Sequence, residues 1–165
     1  MCARRVVVTG VGVVSPLGLT AASTWEGLVS GRSGVGAITL FEPERFPVRI
    51  AAEVPGFTPE TVFGKRRARH LDRVTQLALV ATAEALDAAK LDVRTDPDRV
   101  GAIFGTGVGG IRSFEDGADV LSERGPDWVS PYTLPMMIPN MASGYIALKF
   151  GARGTNFCVV SACAL

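Results

Sequence analysis

No apolar run in the sequence approaches the eighteen or so residues of a membrane-spanning helix. The start, Met1-Cys2-Ala3-Arg4-Arg5, leads into Val6-Val7-Val8 and then straight into glycines, without the long apolar stretch of a signal peptide. Neither a membrane span nor a leader is expected, and a cytoplasmic protein is. Charge of one sign is also lacking: 17 Lys and Arg against 16 Asp and Glu leave a formal net charge of +1. That balance gives no global pull toward nucleic acid or an anionic membrane, so a basic contact must come from a local cluster. There is one histidine and there are three cysteines. Cys158-x4-Cys163 is neither a zinc knuckle nor a CxxC redox pair, and in an extended strand the two positions point to opposite faces. Neither a disulfide between them nor a metal site is expected. Internal repeats and low-complexity tracts are absent.

What remains is a chain of 165 residues, 47% hydrophobic and 20% charged, with 19 glycines. It is long enough to bury a core and reads as one globular domain or a piece of one. Apolar strands alternate with helical patterns, the order of a layered α/β fold. Strands are predicted at 4–14, 99–104 and 155–161. Helices are predicted at 20–28, with Trp25 and Leu28 on one face, and at 71–90, 111–124 and 140–150. The 71–90 segment is alanine-rich, and Leu71, Val74, Leu77, Ala78, Ala81, Ala85, Leu86 and Ala89 keep the spacing of one buried face. A turn region is expected at 31–36. The stretch 41–61 holds Pro43, Pro47, Pro55 and Pro59, which predicts irregular chain with at most an edge strand at 48–54.

Two glycine motifs follow strands: Gly10-x-Gly12, and Gly105-Thr-Gly107-Val-Gly109-Gly110, which formally contains GxGxxG. A dinucleotide site is one reading. Against it, Ser15-Pro16 stands where a nucleotide-binding helix should be running, and near the expected distance of about twenty residues after the second motif Glu123 comes early and Asp127 follows Pro126. The other reading is close packing of backbone where a side chain would not fit.

The third strand ends in Cys158-Val-Val-Ser-Ala-Cys163, which brings a thiol to the carboxyl end of a strand, where α/β enzymes keep their chemistry. Thiolate is the reactive form, and a free thiol with a pKa of about 8.5 needs help to ionise near neutrality. Cys163 is therefore either a nucleophile or a buried structural thiol. Cys158 reads as structural and Cys2 as a frayed terminal residue. His70, beside Arg69 and Asp72 at a helix start, reads as a partly exposed residue without a catalytic part.

Four stretches together carry a family resemblance. They are Arg4-Arg-Val-Val-Val-Thr-Gly-Val-Gly-Val-Val-Ser-Pro-Leu-Gly18, the run from Gly105 to Gly110, Ser130-Pro-Tyr-Thr-Leu-Pro-Met-Met-Ile-Pro-Asn-Met141, and Ser161-Ala-Cys-Ala164. In order and across the whole chain, they resemble the β-ketoacyl-acyl carrier protein synthases, the long-chain condensing enzymes of fatty-acid synthesis. The resemblance implies the first half of a thiolase-like layered fold: a mixed five-stranded sheet flanked by helices, usually in a homodimer. Residues 1–165 would form the amino-terminal half, with the carboxyl-terminal half absent, so turnover by this chain alone is not expected.

By that resemblance, Cys163 accepts an acyl group as a thioester. Malonyl-carrier protein then loses carbon dioxide and attacks it in a decarboxylative Claisen condensation. Val108, Leu134, Ile138 and Ala162 resemble acyl-pocket positions, although Val108, Leu134 and Ile138 also suit ordinary core packing. Lys65, Arg66, Arg67 and Arg69 are a docking patch for acidic acyl carrier protein or, as such runs often are, a solvated face. Nucleic acid fits poorly, since no second basic stretch or aromatic interleaving accompanies the cluster. No cofactor is implied beyond the carrier's phosphopantetheine. Phe157, Val159 and Ser161 share a strand face through which association is expected. Two alternatives stand: a nonenzymatic fragment that binds carrier protein or dimerises, and part of a polyketide-type ketosynthase.

Overall fold

The computed structural model describes residues 5–164. By their contacts the residues divide into two compact units, Met1–Phe57 with Val80–Leu91, and Thr58–Leu79 with Asp92–Leu165. Helix α4 (Arg73–Ala89) contributes residues to both.

In the first unit, helix α1 (Ala21–Val29) starts where the sequence predicts, because Thr20 and Ser23 form a capping box. The Thr20 hydroxyl accepts from the Ser23 backbone N–H at 3.1 Å, and the Ser23 hydroxyl accepts from that of Thr20 at 3.1 Å. Trp25 and Leu28 do not form a buried face; both are exposed, and Gly27 is the buried residue of the helix. Strand β1 (Gly36–Ala37) pairs antiparallel with β2 (Ile50–Ala51). The expected edge strand is thus reduced to two residues by the flanking prolines. The adjoining loops are held by Glu53, whose carboxylate accepts from the Thr39 hydroxyl at 2.6 Å and from the Thr39 and Leu40 backbone N–H groups. The Thr39 hydroxyl bond is the main reason this carboxyl sits below its ordinary pKa.

The predicted first strand does not form a ladder. Residues 5–14 run without regular structure, and Val6 is 94% exposed. Their backbone instead lies against the end of α4. A Cβ on Gly10 would overlap the Ala85 carbonyl and Ala89, and one on Gly12 would overlap the Ala81 carbonyl. Close packing, the second reading of this motif, is what these glycines serve. The Glu84 carboxylate accepts from Val13 N–H and from Ala21 N–H, each at 2.8 Å. One acid so satisfies both this segment and an otherwise orphaned donor in the first turn of α1.

The second unit is built on a parallel pair, β3 (Ala102–Thr106) and β4 (Asn156–Val160), in register from Ala102↔Asn156 to Thr106↔Val160. Its other elements are α2 (Pro59–Phe63), α3 (Lys65–Ala68), α5 (Ile111–Arg124), α6 (Thr133–Met137) and α7 (Met141–Phe150). The predicted helix 111–124 matches α5, and 140–150 and 155–161 match α7 and β4 within a residue at each end. Strand 99–104 is displaced: Pro97–Arg99 forms a helical turn, and the ladder begins where Ala102 N–H donates to Thr155 at 2.9 Å. Helix α7 packs on both strands. Leu71, Leu79, Val93, Ala102, Ala142 and Ser143 form the buried centre of this unit.

The buried face of α4 also differs from the apolar count. Thr75, Gln76, Ala78 and Leu79 are buried, while Val74 and Leu77 are half-buried. Gln76 is tolerated inside because its amide donates to the Ala68 and Leu71 carbonyls, each at 3.0 Å.

The mixed five-stranded sheet is not formed by the described residues, which make two sheets of two strands. A ladder needs a neighbour about 4.8 Å away that offers free backbone groups. Residues 5–14 lie against helix backbone, and a side chain takes Val13 N–H. No described helix is long and apolar enough to cross a membrane.

Candidate active site

The carboxyl ends of β3 and β4 lie side by side, and each runs into a tight turn. After β4 the chain passes Ser161, turns at Ala162 with φ of +49°, and enters the helical turn Ala162–Ala164 that carries Cys163. A non-glycine residue in left-handed backbone costs on the order of 1 kcal/mol, and such positions cluster where a side chain must be presented. Here the following side chain is Cys163, and it is exposed. A buried structural thiol, the alternative reading, does not describe it. Cys158 behaves differently. It is half-buried in β4, and burial raises its thiol pKa above the ordinary value. Both cysteines are free. Cys2 lies outside the described residues.

The turn after β3 faces this one. A Cβ on Gly107 would sit 3.7 Å from the Ala162 carbonyl oxygen. Gly109, at φ of +90°, lies against Pro139, and Gly110 lies against the Met136 carbonyl while its N–H donates to the Met137 carbonyl at 3.1 Å. The second glycine motif therefore spans two close backbone approaches, to the cysteine turn and to residues 136–139. Through them the fold gathers Val108, Ala162 and Ile138 around the ends of the parallel pair. Val108 and Leu134 are both exposed, 57% and 61%, and Ile138 is half-buried. Val108 and Leu134 are thus not part of the core formed by the described residues.

Ser161 carries the one buried side-chain oxygen without a hydrogen bond among the described residues. Asp72, also buried, organises the start of α5. Its carboxylate accepts from the Ser113 hydroxyl at 2.6 Å, from Ser113 N–H at 3.2 Å and from Val74 N–H at 2.9 Å. One acid thus caps α4 and anchors the helix that follows the glycine turn. Sequence reading treats Asp72 only as a neighbour of His70, since nothing local signals a partner 41 residues away.

The basic cluster is split. Lys65, Arg66, Arg67 and Arg69 are all exposed. The first three, with Phe63, Gly64 and His70, line an open depression of about 410 Å³ that contains no acidic residue. Arg69 lines a separate pocket of about 190 Å³ with Asp116, Trp128 and Thr133 among others. His70 stacks on Tyr132, ring centroids 3.7 Å apart and planes within 10°. Lys149, from the last turn of α7, adds a cation that the sequence cluster does not announce. Its Nζ stands 5.1 Å from the Phe63 ring and 5.3 Å from that of Phe150. Burial and then the nearby Arg67 charge push its pKa below the ordinary lysine value. No group of three or more potential metal ligands occurs among the described residues.

The family profile described as beta-ketoacyl synthase, N-terminal domain, matches residues 3–164. The 3-oxoacyl-acyl-carrier-protein synthase 2 of Synechocystis sp. is 41% identical over 162 residues, 98% of this chain and 39% of that protein. The chain therefore spans about two fifths of the length of the curated relatives it matches. Among solved structures, the ishigamide ketosynthase/chain length factor superposes with a TM-score of 0.81 at 28% identity, covering 96% of this chain and 40% of that one. A type II polyketide ketosynthase, solved in complex with its acyl-carrier protein, superposes with a TM-score of 0.72 at 27% identity, covering 92% and 40%. With a ketosynthase-like α/β fold and a family profile matched over nearly all its residues, this chain belongs to the beta-ketoacyl synthase family, whose N-terminal domain it carries.

Proposed function

We propose that the chain is the amino-terminal half of a 3-oxoacyl-acyl-carrier-protein synthase and that Cys163 is its acyl acceptor. The observation that carries the reading is the Ala162 turn, which lifts an exposed thiol at the carboxyl end of the β3–β4 pair. The Cys163 thiolate attacks the carbonyl of a carrier-bound thioester. A new C–S bond forms, the bond to the carrier sulfur breaks, and the carrier sulfur leaves as a thiolate that takes up the proton Cys163 lost on ionising. Malonyl-carrier protein then releases carbon dioxide, and the resulting carbanion attacks the acyl carbonyl and returns Cys163 as thiolate. The product is a β-ketoacyl chain on the carrier. Acyl groups arrive and leave on the carrier's phosphopantetheine, so the enzyme needs no cofactor of its own.

Val108, Ile138, Leu134 and Ala162 line the acyl pocket in this reading, and a branched aliphatic at Val108 limits chain depth. Lys65, Arg66, Arg67 and Arg69 dock the acidic carrier. Exposed cations around a depression free of carboxylates support that assignment. The five-stranded sheet and the homodimer belong to the whole enzyme. Association runs through the open β4 face, where Phe157 and Val159 are each 45% exposed. A fatty-acid substrate is favoured over a polyketide one by the 41% identity to the curated 3-oxoacyl-acyl-carrier-protein synthase, against 27% for the type II polyketide ketosynthase. Assaying β-ketoacyl product from acyl- and malonyl-carrier protein, with the chain in its full-length enzyme and with Cys163→Ala, tests the reading. Product that survives the substitution would overturn it.

A further inference from the structure

The His70 and Tyr132 rings stack with centroids 3.7 Å apart and planes within 10°. His70 follows α3, where its N–H donates to the Arg67 carbonyl at 3.0 Å, and it precedes the buried Leu71 and Asp72, so its backbone is fixed on both sides. Tyr132 stands immediately before α6, and its carbonyl accepts from Met136 N–H at 3.0 Å in the first turn of that helix. Helix α6 has five residues and no side-chain cap, which is too short to be stable by itself. It is held from outside: a Cβ on Gly117 of α5 would come within 2.6 Å of the Thr133 methyl, and the Tyr132 ring rests on His70. The helix carries Leu134, and the Leu134 carbonyl accepts from Ile138 N–H at 3.2 Å, so the two move together.

We propose that His70 is a positioning residue for acyl-chain selection: its stack on Tyr132 fixes the start of α6, and with it the place of Leu134 and Ile138 in the acyl pocket. The inference rests on the proposed function for the identity of that pocket. His70 also lines the depression formed with Lys65, Arg66 and Arg67, so the docked carrier and the pocket wall meet at one imidazole. The stack asks the ring for a flat face and not for a proton, so phenylalanine can replace histidine and alanine cannot. Tyr132 is 39% exposed and His70 half-buried, so truncating either ring spares the buried centre of the unit.

The test compares kcat/KM for hexanoyl-, decanoyl- and hexadecanoyl-carrier protein in the full-length enzyme and in its His70→Ala, His70→Phe and Tyr132→Leu variants. An aromatic pair is worth up to about a tenfold factor in an equilibrium, so His70→Ala should weaken the discrimination between chain lengths about threefold or more. Tyr132→Leu should weaken it likewise, the double variant should add nothing further, and His70→Phe should keep the wild-type discrimination. A role in folding alone lowers the rate for every chain together, and a role in carrier docking alone raises KM equally for all. Unaltered discrimination in His70→Ala would therefore overturn the proposal, as would a His70→Phe enzyme that behaves like His70→Ala. Hydrogen exchange supplies a readout without turnover: amides of 133–138 should exchange about threefold or more faster in His70→Ala and at the wild-type rate in His70→Phe, and equal rates in all three contradict the proposal. Failure of the proposed function has a different signature: wild type makes no β-ketoacyl product from any chain, and chain selection falls with it while the exchange difference stands.

Discussion

Asp72 offers the sharpest energetic test of how the fold reaches the site. Its side chain is 5% exposed and accepts three hydrogen bonds, two from Ser113 and one from Val74. Asp72→Ala removes all three acceptors and leaves two backbone N–H groups and a hydroxyl short of partners in a buried place. At about 1 kcal/mol for each stranded donor, the loss is about 3 kcal/mol, a large part of a domain's stability. Asp72→Asn keeps one acceptor for Val74 or Ser113, and its amide can donate to the Ser113 hydroxyl, so the loss should be about half as great. Urea unfolding followed by far-UV circular dichroism measures both. The order wild type, Asn, Ala is expected, with an unchanged slope against urea. Asp72→Ala within about 0.5 kcal/mol of wild type would refute the bridging role, since that is the range of an inconsequential surface change. Gly110 belongs to the same arrangement, because a Cβ there would come within 3.0 Å of the Asp72 carboxyl carbon.

Gly12→Ala should destabilise by about 2 kcal/mol or more in the same assay, because the added methyl overlaps the Ala81 carbonyl and the backbone must shift; a neutral effect would show that 5–14 does not lie against α4. Ser161→Ala removes a buried hydroxyl that has no partner among the described residues, so thermal melts should show a change between neutral and a gain of about 1 kcal/mol; a clear loss would reveal a hydrogen bond. Iodoacetamide near pH 7.5 should modify Cys163 ahead of Cys158. The pKa of Cys158 is raised by burial, so its thiolate fraction at that pH is below that of an ordinary thiol and its labelling should catch up only as pH rises. Equal rates at pH 7.5 would remove the distinction between the two thiols.

The sequence announces the helices better than the sheet, and the reason is physical. α1, α5 and α7 are set by local signals: the Thr20 capping box, Gly125 after α5 and Gly151 after α7 at φ of +89° and +85°. β3 and β4 are legible as apolar runs, but a strand exists only with a partner. Val6-Val7-Val8 has every propensity for a strand, and among the described residues no strand lies against it. Apolar counting misses Gln76 on the core face of α4, because it cannot see that the Ala68 and Leu71 carbonyls await an amide. At the site, Cys163 is legible from its place after a strand. The approach of Gly107 to Ala162, the bridge from Asp72 to Ser113 and the place of Lys149 beside Phe63 and Arg67 join residues far apart in sequence, and no local pattern encodes them.

Intact-protein mass spectrometry after incubation with acyl-carrier protein shows whether Cys163 takes the acyl group. A single acyl adduct, labile to neutral hydroxylamine as a thioester must be, is expected on Cys163 and is absent from Cys163→Ala. An adduct that persists in that variant, or that maps to Cys158, would contradict it.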